Sequence, residues 1–232
     1  VLVDQARLVL ASAARFEGVA ASTRAGVEPE LTIAIDPLVP TGPLINSLRA
    51  LSETFPNLPV HFSTEGLGGS LRRLRDGSAA FALCLLLPGV PEDIAAYPLL
   101  RVSMRAVVSP GHPLALLGRP ATEGDLAPHI QLVLSDPVDP GGASYGLAGT
   151  RHWRFVDLGR RFDFLLAGFG WCRMPEHLVA TSIVAEALTA IEIHDDPTPP
   201  EGLKIYAAHR RDRALGVAGR WLRDELRRSL VS

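Results

Sequence analysis

The sequence predicts an α/β fold built on a mostly parallel sheet, and three observations carry that prediction. Short strand-like runs alternate with helical stripes over residues 31–87, and proline or glycine breaks separate successive units. Residues 80–87 form an apolar run of the length expected for a strand covered on both faces. With 232 residues, 47% hydrophobic and 21% charged, the chain can bury a large core, as one domain or as two lobes.

The elements follow in order. Leu2, Ala6, Val9, Ala13, Phe16 and Ala20 recur at steps of four and three, which lines them along one side of a helix. This stripe is shorter than the roughly three to four heptads of a secure coiled coil, so it fits a helix docked on its own domain as well as one paired with another chain. Gly26 to Pro29 ends it. Residues 31–35 alternate as a strand, a proline-rich loop follows, and Thr41 stands where it can cap a helix carrying Leu44, Leu48, Leu51 and Phe55. Pro56 and Pro59 stop that helix before a strand at residues 60–63. Leu67, Leu71 and Leu74 mark the next helix, ended by Asp76-Gly77.

Further on, residues 102–109 and 130–134 read as strands, with a short helical turn at 124–127 between them. A helix carrying Leu158, Phe162, Leu165 and Phe169, capped by Asp157, leads through Gly168 and Gly170 into a short run at 171–174. Two short helices are expected at 176–180 and 184–188, and a strand at 203–207. The chain ends in a long amphipathic helix, with Leu215, Ala218, Leu222, Leu226 and Leu230 opposite a solvated face of Arg220, Arg223, Arg227 and Arg228.

Charge and composition exclude several classes. A formal charge of −2 gives no general attraction for polyphosphate, so this stretch alone should bind DNA poorly. No apolar run approaches the roughly 20 residues that cross a bilayer, so no membrane partner is expected, and the first residues lack signal-peptide order. The cytoplasm is the expected location. Cys84 and Cys172 are too few for a disulfide framework and are read as reduced, buried thiols. The seven histidines show no metal-ligand spacing, and His112 reads as part of a turn. No phosphate-binding glycine loop is present, and no cofactor is expected. Gly142-Ala-Ser-Tyr-Gly146 matches the string around a hydrolase nucleophile, with His177 and His194 downstream. Such a serine requires a strand running into it and a helix leaving it, whereas Pro137, Pro140 and Gly141 precede Ser144 and Gly149 follows. A flexible loop is the simpler reading.

Three stretches resemble the substrate-binding domain of LysR-type transcriptional regulators: Val107-Val-Ser-Pro-Gly-His-Pro-Leu-Ala115, Asp125-Leu-Ala-Pro-His-Ile130 and Leu166-Ala-Gly-Phe-Gly-Trp-Cys-Arg-Met-Pro175. Each is weak alone; their order and spacing, together with Phe55-Pro56 and the leading helix, make the resemblance. It implies an α/β fold of the two-lobe periplasmic-binding-protein type 2, with mixed, mostly parallel sheets and an N-terminal linker helix. Residues 1–25 would be part of that linker, 26–102 and 208–232 regulatory subdomain I, and 103–207 regulatory subdomain II, with crossings near 101–104 and 203–207. The partners it implies are a small-molecule effector in the interlobe cleft, a homodimer or homotetramer, and DNA held by a winged helix-turn-helix that would precede Val1. One departure is Ala80, where the family usually has aspartate.

By order along the chain, the resemblance places effector contacts at Leu38, Val39, Pro40 and Thr41, at Leu67, Leu85 and Ser103, at Leu134 and Ser135 through Asp136, and around Trp171. The leucines point to an apolar or aromatic effector, with Thr41, Ser103 and Ser135 orienting it. Arg105 and Arg173 either neutralise an acidic group or form salt bridges with protein carboxylates. Cys84 and Cys172 would form a redox switch only as accessible, low-pKa thiols, and nothing basic flanks Cys84. A solute-binding protein of a transporter shares the architecture and is the alternative function; a serine hydrolase is the remote one.

Overall fold

The computed structural model describes residues 26–136, 138 and 146–230, together with positions 3, 5–7, 9, 10, 13 and 18, which are helical. Ala6, Val9 and Ala13 of the N-terminal stripe fall on that helical stretch and are exposed, whereas Leu2, Phe16 and Ala20 lie outside the described residues. So does Ser144 with residues 141–145.

The first sheet has the order β2-β1-β3-β10-β4, from strands β1 (Leu31–Ile35), β2 (Val60–Thr64), β3 (Phe81–Leu85), β4 (Ile94–Val102) and β10 (Leu203–Arg210). Helix α1 (Thr41–Thr54) connects β1 to β2, and α2 (Gly69–Asp76) connects β2 to β3; both crossovers join parallel neighbours of β1. The apolar run at β3 has a simple cause. Phe81 and Leu83 face a core under α1 and the C-terminal helix α6 (Val217–Leu230), while Ala82 and Cys84 face a second cluster with Leu74 of α2.

The second half carries β5 (Met104–Val108), β6 (Gln131–Leu134), β7 (His152–Phe155), β8 (Cys172–Pro175) and β9 (Thr189–Ile191). They form a three-stranded antiparallel sheet, β8-β5-β9, and a parallel pair, β6-β7, joined to the residue before β8 by a bridge between Gln131 and Trp171. Helices α3 (Glu123–Leu126), α4 (Leu158–Leu166) and α5 (Glu176–Val184) complete it. Asp157 caps α4 by accepting from the Arg160 amide at 2.6 Å, and His112 accepts from the Leu114 amide at 3.2 Å to start a 3₁₀ turn, both as the sequence suggested.

Several sequence expectations are corrected. Among the described residues three strand pairings are parallel and four antiparallel: β10 runs opposite to both β3 and β4, and β5 runs opposite to both β8 and β9. The strand expected at 102–109 is two strands in different sheets, with Ser103 alone between them. Residues 203–207, expected in the second subdomain, pair with Val102 and its neighbours in the first sheet. One helix, not two, occupies 176–184, and β9 follows it. Thr41 is the first residue of α1 and makes no side-chain cap; Pro40 takes the N-cap position.

The chain therefore passes between the halves twice, after Val102 and before Leu203, at adjoining points. The return is tight. Gly202 has φ +84°, and a Cβ there would lie 2.7 Å from the Val102 carbonyl oxygen.

Candidate functional site

A cavity of about 380 Å³ opens between the halves beside these crossings. Leu38 reaches it from the loop after β1, Leu67 from the approach to α2, and Leu85 and Leu87 from the end of β3, all outside the carboxyl ends of parallel strands. From the other half come Leu132, Val133 and Leu134 of β6, with Met104 and Leu203 at the crossings. Leu38, Leu67 and Leu85 also pack into the hydrophobic cluster of the second half, so the wall is continuous across the cleft.

Leu38, Leu67, Leu85 and Leu134, which the resemblance put among the effector contacts, and Arg173, read as neutralising an acid or pairing with a protein carboxylate, line the cavity. The others do not. Val39 is buried in the first core, Pro40 is the N-cap of α1, and Thr41 is exposed. Ser103 is exposed at the crossing, with its carbonyl accepting from the Glu176 amide. Ser135 is buried, its hydroxyl 3.3 Å from the Phe155 carbonyl. Trp171 is fully buried among Val108, Leu114 and Leu126, and Arg173, two residues on and on the same face, lies over its ring at 5.4 Å. Arg105 is exposed and paired with Glu176 at 3.0 Å.

The polar lining comes from Gln131, Arg161, Arg173 and Thr198. Gln131 is satisfied on both ends: its amide donates to the Gly146 carbonyl at 2.8 Å and its oxygen accepts from the Ala148 amide at 2.9 Å. Arg173 is committed to Asp196, with Nε and Nη2 at 3.1 and 3.0 Å, and Nη1 donates to the Gly146 carbonyl at 2.6 Å. Burial works to raise the Asp196 carboxyl, yet the Thr198 amide and the Arg173 guanidinium outweigh it and hold it below the ordinary value. Arg161, on α4, is 5% exposed. Its Nη2 donates to the Arg173 carbonyl at 3.0 Å and touches Met174 Sδ at 3.0 Å, while Nε has no acceptor.

Sequence reading missed Arg161, although a signal was there. It lies three residues after Leu158 and four before Leu165, so its side chain falls on the buried face of an amphipathic helix. Gln131 and Thr198 carried no comparable pattern.

The two cysteines are fully enclosed. Burial pushes the Cys84 thiol up to about 12 and the Cys172 thiol to about 11, which leaves neither as a ready thiolate. Among the described residues no cluster of three or more histidine, cysteine or acidic side chains could hold a metal, and no helix is long and apolar enough to cross a membrane.

Two α/β lobes, a double crossing and a largely apolar cavity between them define a ligand-binding domain of the type 2 periplasmic-binding-protein kind. The model of the LysR substrate binding domain matches residues 24–231, and the chain belongs to that family. It is 26% identical over 234 residues to the probable HTH-type transcriptional regulator YhaJ of Escherichia coli K12, covering 97% of this chain and 74% of YhaJ. Its fold is similar to that of the Synechocystis PCC6803 CcmR regulatory domain in complex with 2-PG, with a TM-score of 0.70, 14% identity, and 88% and 98% of the two chains covered. It is also similar to the BenM effector binding domain with its effector benzoate, with a TM-score of 0.62, 19% identity, and 87% and 92% covered.

Proposed function

We propose that this domain senses a small, apolar or aromatic effector in the interlobe cavity, and that effector occupancy is passed through a homodimer or homotetramer to a DNA-binding winged helix-turn-helix. The reading rests above all on the leucine wall: Leu38, Leu67, Leu85, Leu87, Leu132 and Leu134 converge on one cavity from both halves. Burying each ligand CH₂ there contributes about 0.8 kcal/mol, while a polar group left without a partner costs a few. A role in transcription fits a working site in the cytoplasm. The kinship with YhaJ, described as an HTH-type regulator, supports the DNA-directed role.

In this scheme the two halves move as subdomains about the adjoining crossings, and the effector shifts their population by its differential affinity. A thermal-shift series tests it. Naphthalene-sized aromatics should raise the melting temperature, and a Leu85→Gln or Leu134→Gln exchange should abolish the rise. Tight binding of succinate, with no response to any aromatic, would contradict the apolar reading.

A further inference from the structure

Arg161 is a buried cation with no carboxylate partner among the described residues, and it lines the cavity. The contrast with its neighbours is sharp. Arg173 has Asp196 as its counter-charge, although its Nη2 makes no hydrogen bond, Gln131 has Gly146 and Ala148, and Thr198 shares Asp196. Arg161 has only a carbonyl and a thioether, and guanidinium does not lose its proton in proteins. An uncompensated charge in a dry site weakens a fold unless something else repays it. The rest of the lining is mostly leucine, valine, methionine and proline, and its other cation, Arg173, already has a carboxylate counter-charge.

We propose that Arg161 is the anion receptor of the cavity, and that the effector is a monoanion, a carboxylate joined to an apolar ring or short alkyl body. This rests on the effector-cavity reading above and narrows it: one charged end meets Arg161, and the remainder fills the leucine-lined space. A planar carboxylate suits the fork of guanidinium donors. A second anionic group would have no counter-charge, since Arg173 is neutralised by Asp196, so dicarboxylates are disfavoured.

The test uses the whole chain, as wild type, Arg161→Met and Arg161→Lys. Calorimetry with 2-naphthoate, 2-naphthamide, naphthalene, octanoate and succinate reads the charge requirement, and the melting temperature of each unliganded variant reads the structural one. Wild type should bind 2-naphthoate or octanoate at least about 100-fold more tightly than the matched neutral ligand. Arg161→Met should lose that preference, and Arg161→Lys should keep part of it. Unliganded Arg161→Met should melt no lower than wild type, because methionine fills the space without burying a charge.

The proposal is overturned if 2-naphthamide or naphthalene binds as tightly as 2-naphthoate, an outcome that leaves the apolar effector site standing. It is equally overturned if Arg161→Met melts well below wild type while still preferring the carboxylates, which would make Arg161 structural. Binding of none of the four aromatic and alkyl probes would sink both readings together.

Discussion

Asp36 shows how a single residue shapes the cavity rim. It is 3% exposed at the end of β1, and its carboxylate accepts from the Leu38 amide at 2.9 Å, fixing the turn that presents Leu38. Burial pushes its pKa from 3.8 up to about 6, against the opposing hydrogen bonds from the Leu38 and Leu85 amides. The folded chain thus holds this proton more firmly than the unfolded chain. The contribution to stability is full below about pH 4, falls between there and about pH 6, and is lost above, by at most about 3 kcal/mol. Asp36→Asn keeps an acceptor and removes the titration. In denaturant melts its stability relative to wild type should rise between pH 4.5 and pH 7.5 by about 2 kcal/mol, and a difference that stays constant across that range would refute the assignment. Neither the burial of Asp36 nor the isolation of Arg161 was legible from residue types alone, since both depend on which groups the fold brings alongside. Leu38, Leu67 and Leu85 were reached instead through the family resemblance, by order along the chain, and the fold brings all three to one cavity.

At the scale of elements, α6 illustrates a cap supplied from far along the chain. Glu28 accepts from the Ala218 and Gly219 amides at 3.0 and 2.7 Å, so the carboxylate sits on the positive end of the C-terminal helix. Gly216 makes room for it, since a Cβ there would lie 2.2 Å from Glu28 Oε2. Glu28→Ala should cost about 1–2 kcal/mol in a denaturant melt, and Gly216→Ala a comparable amount for the same reason. The cap was invisible in sequence because its partners are about 190 residues apart. The amphipathic helices were readable from their stripes. In contrast, β4, β7 and β9 escaped: β4 is an edge strand interrupted by Pro98 and bulged opposite Ile205/Tyr206, β7 has four residues, and β9 has three. The arginine face of α6 was read as solvated, yet Arg223 and Arg227 lie over the Tyr97 ring at 5.1 and 5.4 Å, a pairing that only the fold creates.

For the molecule as a whole, the motion available is set by the two adjoining crossings and by what spans the cleft away from them. The bridging contacts were not legible in the sequence, because they depend on how the fold brings distant residues together. Arg72 of α2 pairs with Asp136, just beyond β6, and so ties one lobe to the other across the cavity from the hinge. Both side chains keep part of their surface in solvent, so the pair adds little to global stability, about 0–1 kcal/mol. A bridge spanning the cleft acts on the balance between open and closed arrangements to the extent that separating the lobes breaks it. Arg72→Met should therefore leave the melting temperature within about 3 °C of wild type. The same exchange should speed release of a bound aromatic carboxylate several-fold, read by stopped-flow fluorescence of 2-naphthoate, and Arg72→Lys should recover much of the slow release. Unchanged release in Arg72→Met, with the ligand still bound, would mean that the Arg72–Asp136 bridge plays no part in holding the lobes closed.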